Sequence, residues 1–149
     1  MEGLNDNCVS IESLEIETCN NFQYFMGIPE KVGRISIQEC NKIENLIGLP
    51  ESVDDIELTD LRKFSSLEGC PKQLDELSIC GCEKLKSLKY ISTLIGKGGL
   101  GVSQSGLVDL SNGPKEIEGN YYCNNNLNLK RLNADRKSTR LNSSHLCVS

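Results

Sequence analysis

"VGRISIQECNKIENLIGLPES", residues 32–52, decides how this chain is read, because its pattern recurs on both sides of it. The preceding residues are "IESLEIETCNNFQYFMGIPEK" (11–31); those that follow are "VDDIELTDLRKFSSLEGCPKQ" (53–73) and "LDELSICGCEKLKSLKYISTL" (74–94). In rows of 21, positions 1, 4, 6, 9, 12, 15 and 18 are apolar in every row. The second row supplies Val32, Ile35, Ile37, Cys40, Ile43, Leu46 and Leu49. Chance does not fill all 28 such positions in a chain that is 38% hydrophobic.

The spacing has a physical meaning. Positions 4 and 6 alternate with polar neighbours, the signature of a short strand with one buried face. Positions 9, 12, 15 and 18 keep a spacing of three, which suits a tightly coiled return path. Pro29, Pro50 and Pro71 then end that path without leaving an N–H unsatisfied. One row cannot bury its own apolar face, so the rows must stack into a solenoid.

The pattern resembles a short leucine-rich repeat, strongly over 11–94, with cysteine at the position that commonly forms a ladder. That resemblance implies an α/β-type repeat solenoid, a leucine-rich-repeat horseshoe. It would carry about six parallel strands on the concave side and turns or short 3₁₀ segments on the convex side. Phrases such as "LEGCPKQL" and "GGLGVS" resemble repeat arrays of phage and bacterial proteins.

Pro114 lies one residue beyond the place two further rows would give it, so residues 95–134 read as two degenerate repeats with one insertion. Leu100, Val102, Leu107 and Leu110 continue the apolar series there, followed by Ile117, Tyr122, Leu127, Leu129 and Leu132. Residues 1–10, with Leu4 and Cys8, read as an incomplete preceding repeat or N-terminal cap of a longer array.

Composition narrows the function classes. The formal charge is −5, from 16 basic and 21 acidic residues. Setting aside 135–149 leaves 13 basic and 20 acidic residues, a net of −7. That balance gives no general attraction to nucleic acid or to an anionic membrane, and a basic partner surface is its natural complement. No apolar run reaches membrane-spanning length, and Met1–Asp6 is acidic where a signal peptide is basic and then apolar. With the cysteines placed inside as thiols, the reading is a cytoplasmic protein.

The motifs yield to the repeat. Gly96-Lys97-Gly98-Gly99-Leu100-Gly101 has the spacing of a dinucleotide-binding loop but no helical segment after it, and reads as a loosened row. Cys80-Gly81-Cys82 lacks the second pair that a zinc site needs; Cys82 falls inside and Cys80 outside. The one histidine, His145, lies in the tail, so no Ser–His or Cys–His pair is available to the repeats. No metal, cofactor or small-molecule substrate is expected, nor any enzymatic activity.

In a leucine-rich repeat, positions 3, 5 and 7 line the open face of the sheet. Here they are Ser13, Glu15 and Glu17; Arg34, Ser36 and Gln38; Asp55, Glu57 and Thr59; and Glu76, Ser78 and Cys80. Five acids against one arginine make this face acidic. The expected binding residues are Glu15, Glu17, Arg34, Gln38, Asp55, Glu57, Thr59 and Glu76, meeting a basic protein segment. The alternatives are the substrate-recognition part of a larger enzyme, as in bacterial effector ligases with short repeats, and a structural spacer.

After Leu132 the period stops. "DRKSTRLNSSH" (135–145) resembles, residue for residue, one reading frame of a common short-read sequencing adapter. Residues 135–149 therefore read as a non-native tail that makes no core contact. His145, the cluster Arg136, Lys137 and Arg140, the Asn142-Ser143-Ser144 sequon and Cys147 then carry no functional weight.

Overall fold

Positions 1, 4 and 6 of each row put β-branched or leucine side chains where a pleated, half-buried surface favours them. In the computed structural model, which describes residues 10–130 and the strand backbone of Arg140–Leu141 and Leu146–Val148, every such run is a strand. These are β1 (Ser10–Glu17), β2 (Lys31–Gln38), β3 (Ser52–Thr59), β4 (Gln73–Cys80) and β5 (Leu94–Ser103). Shorter pieces follow: β6 (Glu116–Ile117), β7 (Tyr121–Asn124), β8 (Arg140–Leu141) and β9 (Leu146–Val148).

All pairings are parallel and build one sheet in the order β1-β2-β3-β4-β5-β6-β8, with β7 between β5 and β9. From β1 to β4 each residue pairs with the one 21 positions on, so that one inward column runs Leu14, Ile35, Ile56, Leu77. The architecture is a parallel β-solenoid of about five turns.

The return path differs from the expected class. Among the described residues there is no α-helix and no 3₁₀ segment, so the fold is all-β rather than α/β. The spacing of three arises from single turns closed by backbone hydrogen bonds. Position 12 donates to position 9, as in Phe22–Cys19, Phe64–Leu61 and Leu85–Cys82, and position 18 donates to position 15, as in Leu49–Leu46 and Cys70–Leu67. One turn does not propagate into a helix because the next residues leave the helical region. Position 17, the third residue of the second turn, has positive φ in Gly27, Gly48, Gly69, Tyr90 and Asn112. Such a turn asks for glycine there, and three rows supply it.

A second left-handed corner ends each strand at position 8: Thr18, Glu39, Asp60, Gly81, Gln104 and Asn125. Its N–H still reaches the adjacent coil, Glu39 donating to Thr59 O and Asp60 to Cys80 O. Position 14 braces the other corner from its side chain. Asn45, Ser66, Ser87 and Asp109 each accept the N–H two residues on, the local bond that makes these residue types turn formers.

The inside is one apolar column. Val32, Ile35, Ile37, Ile43, Phe64, Leu67, Leu77 and Leu85 are among its wholly enclosed members. Ile28, Leu49, Cys70 and Ile91, at position 18, are partly buried against it. Cys19 departs from expectation and is exposed; among the described residues its coil has a neighbour on one side only.

Residues 95–130 correct the sequence reading in detail. Leu74 pairs with Ile95, but Glu76 pairs with Gly99, so two extra residues enter at a bulge around Gly96–Gly98. The following turn loses one: buried Leu107 stands two residues after Ser105, where Leu85 stands three after Cys82. The single insertion counted between prolines is thus a gain of two and a loss of one. Beyond it Tyr121 and Cys123 are buried, whereas Tyr122 and Leu127, expected inside, are exposed. Tyr121 pairs with Leu100 and Cys123 with Val102, which turns Tyr122 outward.

Of the tail read as making no core contact, residues 135–149, only strand backbone is described. Arg140–Leu141 pairs with β6 and Leu146–Val148 with β7. Backbone pairing is open to almost any sequence, so it does not bear on the origin of the segment. Residues 1–9, Arg136, Lys137 and His145 lie outside the described residues.

The enclosed thiols give the fold an alkaline limit. Burial pushes the Cys82 thiol up from 9.0 to about 11, and raises Cys40, Cys70, Cys123 and the Tyr121 phenol in the same direction. A raised folded pKa means the native state holds its proton more tightly. Stability is therefore intact below the unfolded value and falls as pH climbs, for Cys82 between about 9 and 11. Each such group adds a slope of at most roughly 1.4 kcal/mol per pH unit in its window. Denaturation midpoints should fall over pH 9–11, and Cys82→Val should flatten the curve. An unchanged slope in that variant would show that Cys82 does not set the limit.

Candidate protein-interaction face

Alternation along β1–β4 directs positions 3, 5 and 7 away from the core, and parallel register stacks them into files. The first file is Ser13, Arg34, Asp55, Glu76 and Gly99. The second is Glu15, Ser36, Glu57, Ser78, Gly101 and Tyr122. The third is Glu17, Gln38, Thr59, Cys80, Ser103 and Asn124. The eight residues expected from the sequence, Glu15, Glu17, Arg34, Gln38, Asp55, Glu57, Thr59 and Glu76, therefore lie on one surface. Those of β1 are exposed, while those of β3 and β4 are half-buried between neighbouring strands.

The charges on this surface are not equivalent. Arg34 Nη2 donates to Glu57 Oε2 at 2.6 Å, bridging adjacent strands diagonally between the first and second files. Both side chains are open to water, so the pair is worth at most about 1 kcal/mol. Its effect is to neutralise the middle of the face. Glu15 and Glu17 at one end, and Asp55 and Glu76 on the far side, keep the acidic character. Partial burial lifts the Asp55 carboxyl above its usual range, with the charge of Asp75 adding to the effect and Arg34 opposing it.

Farther along, the face changes character. β5 contributes Gly99 and Gly101, and the next strand raises Tyr122, whose surface is 45% exposed. The Tyr122 hydroxyl accepts a hydrogen bond from Asn120 Nδ2 at 2.8 Å, which ties the ring to the residue two places back in the chain. The sequence reading missed this end because it placed Tyr122 inside. The signal was present: 21 added to Leu100 and Val102 gives Tyr121 and Cys123.

Position 9, one corner away, joins the coils from within. Cys40 Sγ lies 3.6 Å from Ile16 O and 3.3 Å from Gln38 O. Two coils past Cys82 the same place holds Asn126, whose Nδ2 donates to Val102 O at 2.9 Å. Its Oδ1 accepts from Ser105 N at 2.9 Å and Ser105 Oγ at 2.6 Å.

Outside this corner runs an open groove of about 760 Å³, lined by Glu39, Asn41, Asp60, Arg62, Gly81, Glu83 and Lys84. Three acids and two cations line it, so it presents no single sign of charge. Among the described residues no group of three or more potential ligands is arranged around a metal position. None of them forms a helix long and apolar enough to cross a membrane. No protein-family model matches the chain, and neither a curated protein nor a solved structure shows significant similarity to it.

Proposed function

We propose that the chain is a non-enzymatic protein-interaction module of leucine-rich-repeat type, whose sheet face docks a basic protein segment. The observation that carries this reading is the in-register surface of Glu15, Glu17, Asp55, Glu57 and Glu76 against the single cation Arg34, itself held by Glu57. Adjacent strands of a parallel sheet lie about 4.8 Å apart, so the carboxylates of β1, β3 and β4 stand one or more such steps from each other, a rigid array suited to an extended polycation. The leucine-rich-repeat assignment is supported by position 9. Cys40 and Asn126 each reach a backbone carbonyl of the preceding strand, which gives the ladder role to two different side chains.

The test is binding of the whole chain to a nona-lysine peptide at two salt concentrations. The chain should bind it, more weakly at the higher salt, since the face is open to solvent. Reversing Glu15, Glu57 and Glu76 to lysine should weaken binding by roughly tenfold or more, each reversal replacing an attraction with a repulsion. Equal binding by the reversed chain would sink the face assignment.

A further inference from the structure

The glycine end of the face has a shape that its acidic end lacks. Ser78, Gly101 and Tyr122 occupy the same file on three successive strands. Two strand spacings separate Ser78 from Tyr122, about 10 Å, and the residue between them has no side chain. The result is a notch floored by Gly101 between the side chains of Ser78 and Tyr122, with Glu76, the partner of Gly99, on the Ser78 strand in the adjoining file. The ring is held by its bond from Asn120.

The two glycines of the floor have different reasons to be glycine. Gly99 has φ of 87°, and a Cβ there would meet Asn120 O at 2.4 Å, so the fold requires it. Gly101 has no such need. Among the described residues, a Cβ added to it would find nothing nearer than Ser78 Oγ at 3.9 Å. In a strand interior glycine costs roughly 0.5–1 kcal/mol relative to alanine, and its absence of a side chain here opens the surface.

We propose that this notch is an arginine subsite, taking a guanidinium from the basic segment that docks on the acidic face. The proposal rests on the face being a contact surface and adds which side chain it selects. A guanidinium is flat, stacks on a tyrosine ring, and carries several N–H donors in a fixed plane. Stacked on Tyr122, it directs those donors toward the Glu76 carboxylate and Ser78 Oγ. A lysine ammonium brings a charge but no plane, and gains less from the slot. The nearby cation Arg34 is taken by Glu57, so Glu76 is the acid left to meet an incoming charge at this end.

The experiment compares nona-arginine with nona-lysine on the full chain, with amide shifts of Gly101, Gly99 and Tyr122 followed by NMR. The wild-type chain should prefer nona-arginine by roughly fivefold, the size expected of one cation–π contact. Gly101→Leu fills the notch from a position where the fold has space, so its melting temperature should not fall. It should erase the preference while leaving nona-lysine binding within about twofold, and Tyr122→Ala should do the same. No preference in the wild type, or a preference that survives Gly101→Leu, overturns the subsite. If the lysine-reversed face binds both peptides as the wild type does, or the wild type binds neither, the docking face itself fails. If the reversal weakens both peptides and Gly101→Leu weakens neither, the face stands and the subsite falls.

Discussion

Phe64→Ala is expected to cost about 3–5 kcal/mol of unfolding free energy, the range for deleting an enclosed aromatic side chain. Phe64 has no exposed surface and sits at position 12 of the third coil, between Ile43 and Leu85 of its neighbours. The coils on either side are fixed by the ladders of β2–β3 and β3–β4, so they cannot close over the void. In a stacked array stability is nearly a sum of coil and interface contributions, and a central lesion weakens two interfaces at once. Phe22, at position 12 of the first coil, is only partly buried and packs edge-on against Phe25 with ring centres 5.3 Å apart. Phe22→Ala should therefore cost roughly half as much, including what the edge-on ring pairing contributes. Denaturant unfolding followed by circular dichroism measures both, and equal costs at the two positions would contradict stacking of the coils as the source of stability.

Gly69→Ala should be among the most damaging glycine replacements in the described residues. Its φ of 90° costs an L residue about 1–2 kcal/mol. The added Cβ would also lie 2.4 Å from Ile47 N and from the Leu46 carbonyl atoms, all backbone. Relief requires the second and third coils to part, which breaks the 2.8 Å bond from Leu46 N to Glu68 O. One coil on, the same corner carries a side chain, Tyr90, at φ of 70°. A total near 3 kcal/mol follows, about twice the backbone cost alone. Gly27→Ala is the control, with φ of 79° and, among the described residues, nothing within 4 Å of the new Cβ. It should lose only about 1 kcal/mol. Similar destabilisation at Gly69 and Gly27 would show that the approach of neighbouring coils plays no part.

Much of this was legible in the sequence, for reasons that can be traced. Strand register from Ile11 to Cys80 followed from apolar spacing, because a one-residue slip would turn Ile35, Ile56 and Leu77 into water. The spacing of three was read as a tight return, yet the resemblance attached a mixed class to it. The turn bonds from Phe64 to Leu61 and from Cys70 to Leu67 close one turn each, and Gly69 at positive φ stops the next. The region after Leu94 was harder. Counting between Pro71 and Pro114 records only a net insertion, while Gly96–Gly98 absorbs two residues and the turn before Leu107 returns one. Glu15, Glu57 and Glu76 followed from alternation alone. The Arg34–Glu57 pair depends on the rotamers of two long side chains, which no spacing encodes. The notch required knowing that Tyr122 shares a file with Gly101.

Each of the first five coils turns at two left-handed residues, at positions 8 and 17, and both corners are set by bonds made within a few residues or to the adjoining coil. The sides of the coil are consequently phased separately. An error of length on one side is taken up before the next corner and never reaches the one after. The fifth coil gains two residues in its strand and loses one in its turn, and β7 still meets β5 in step. A tube built this way tolerates copying errors in its parts, because its geometry is re-established at every bend instead of being carried along the thread.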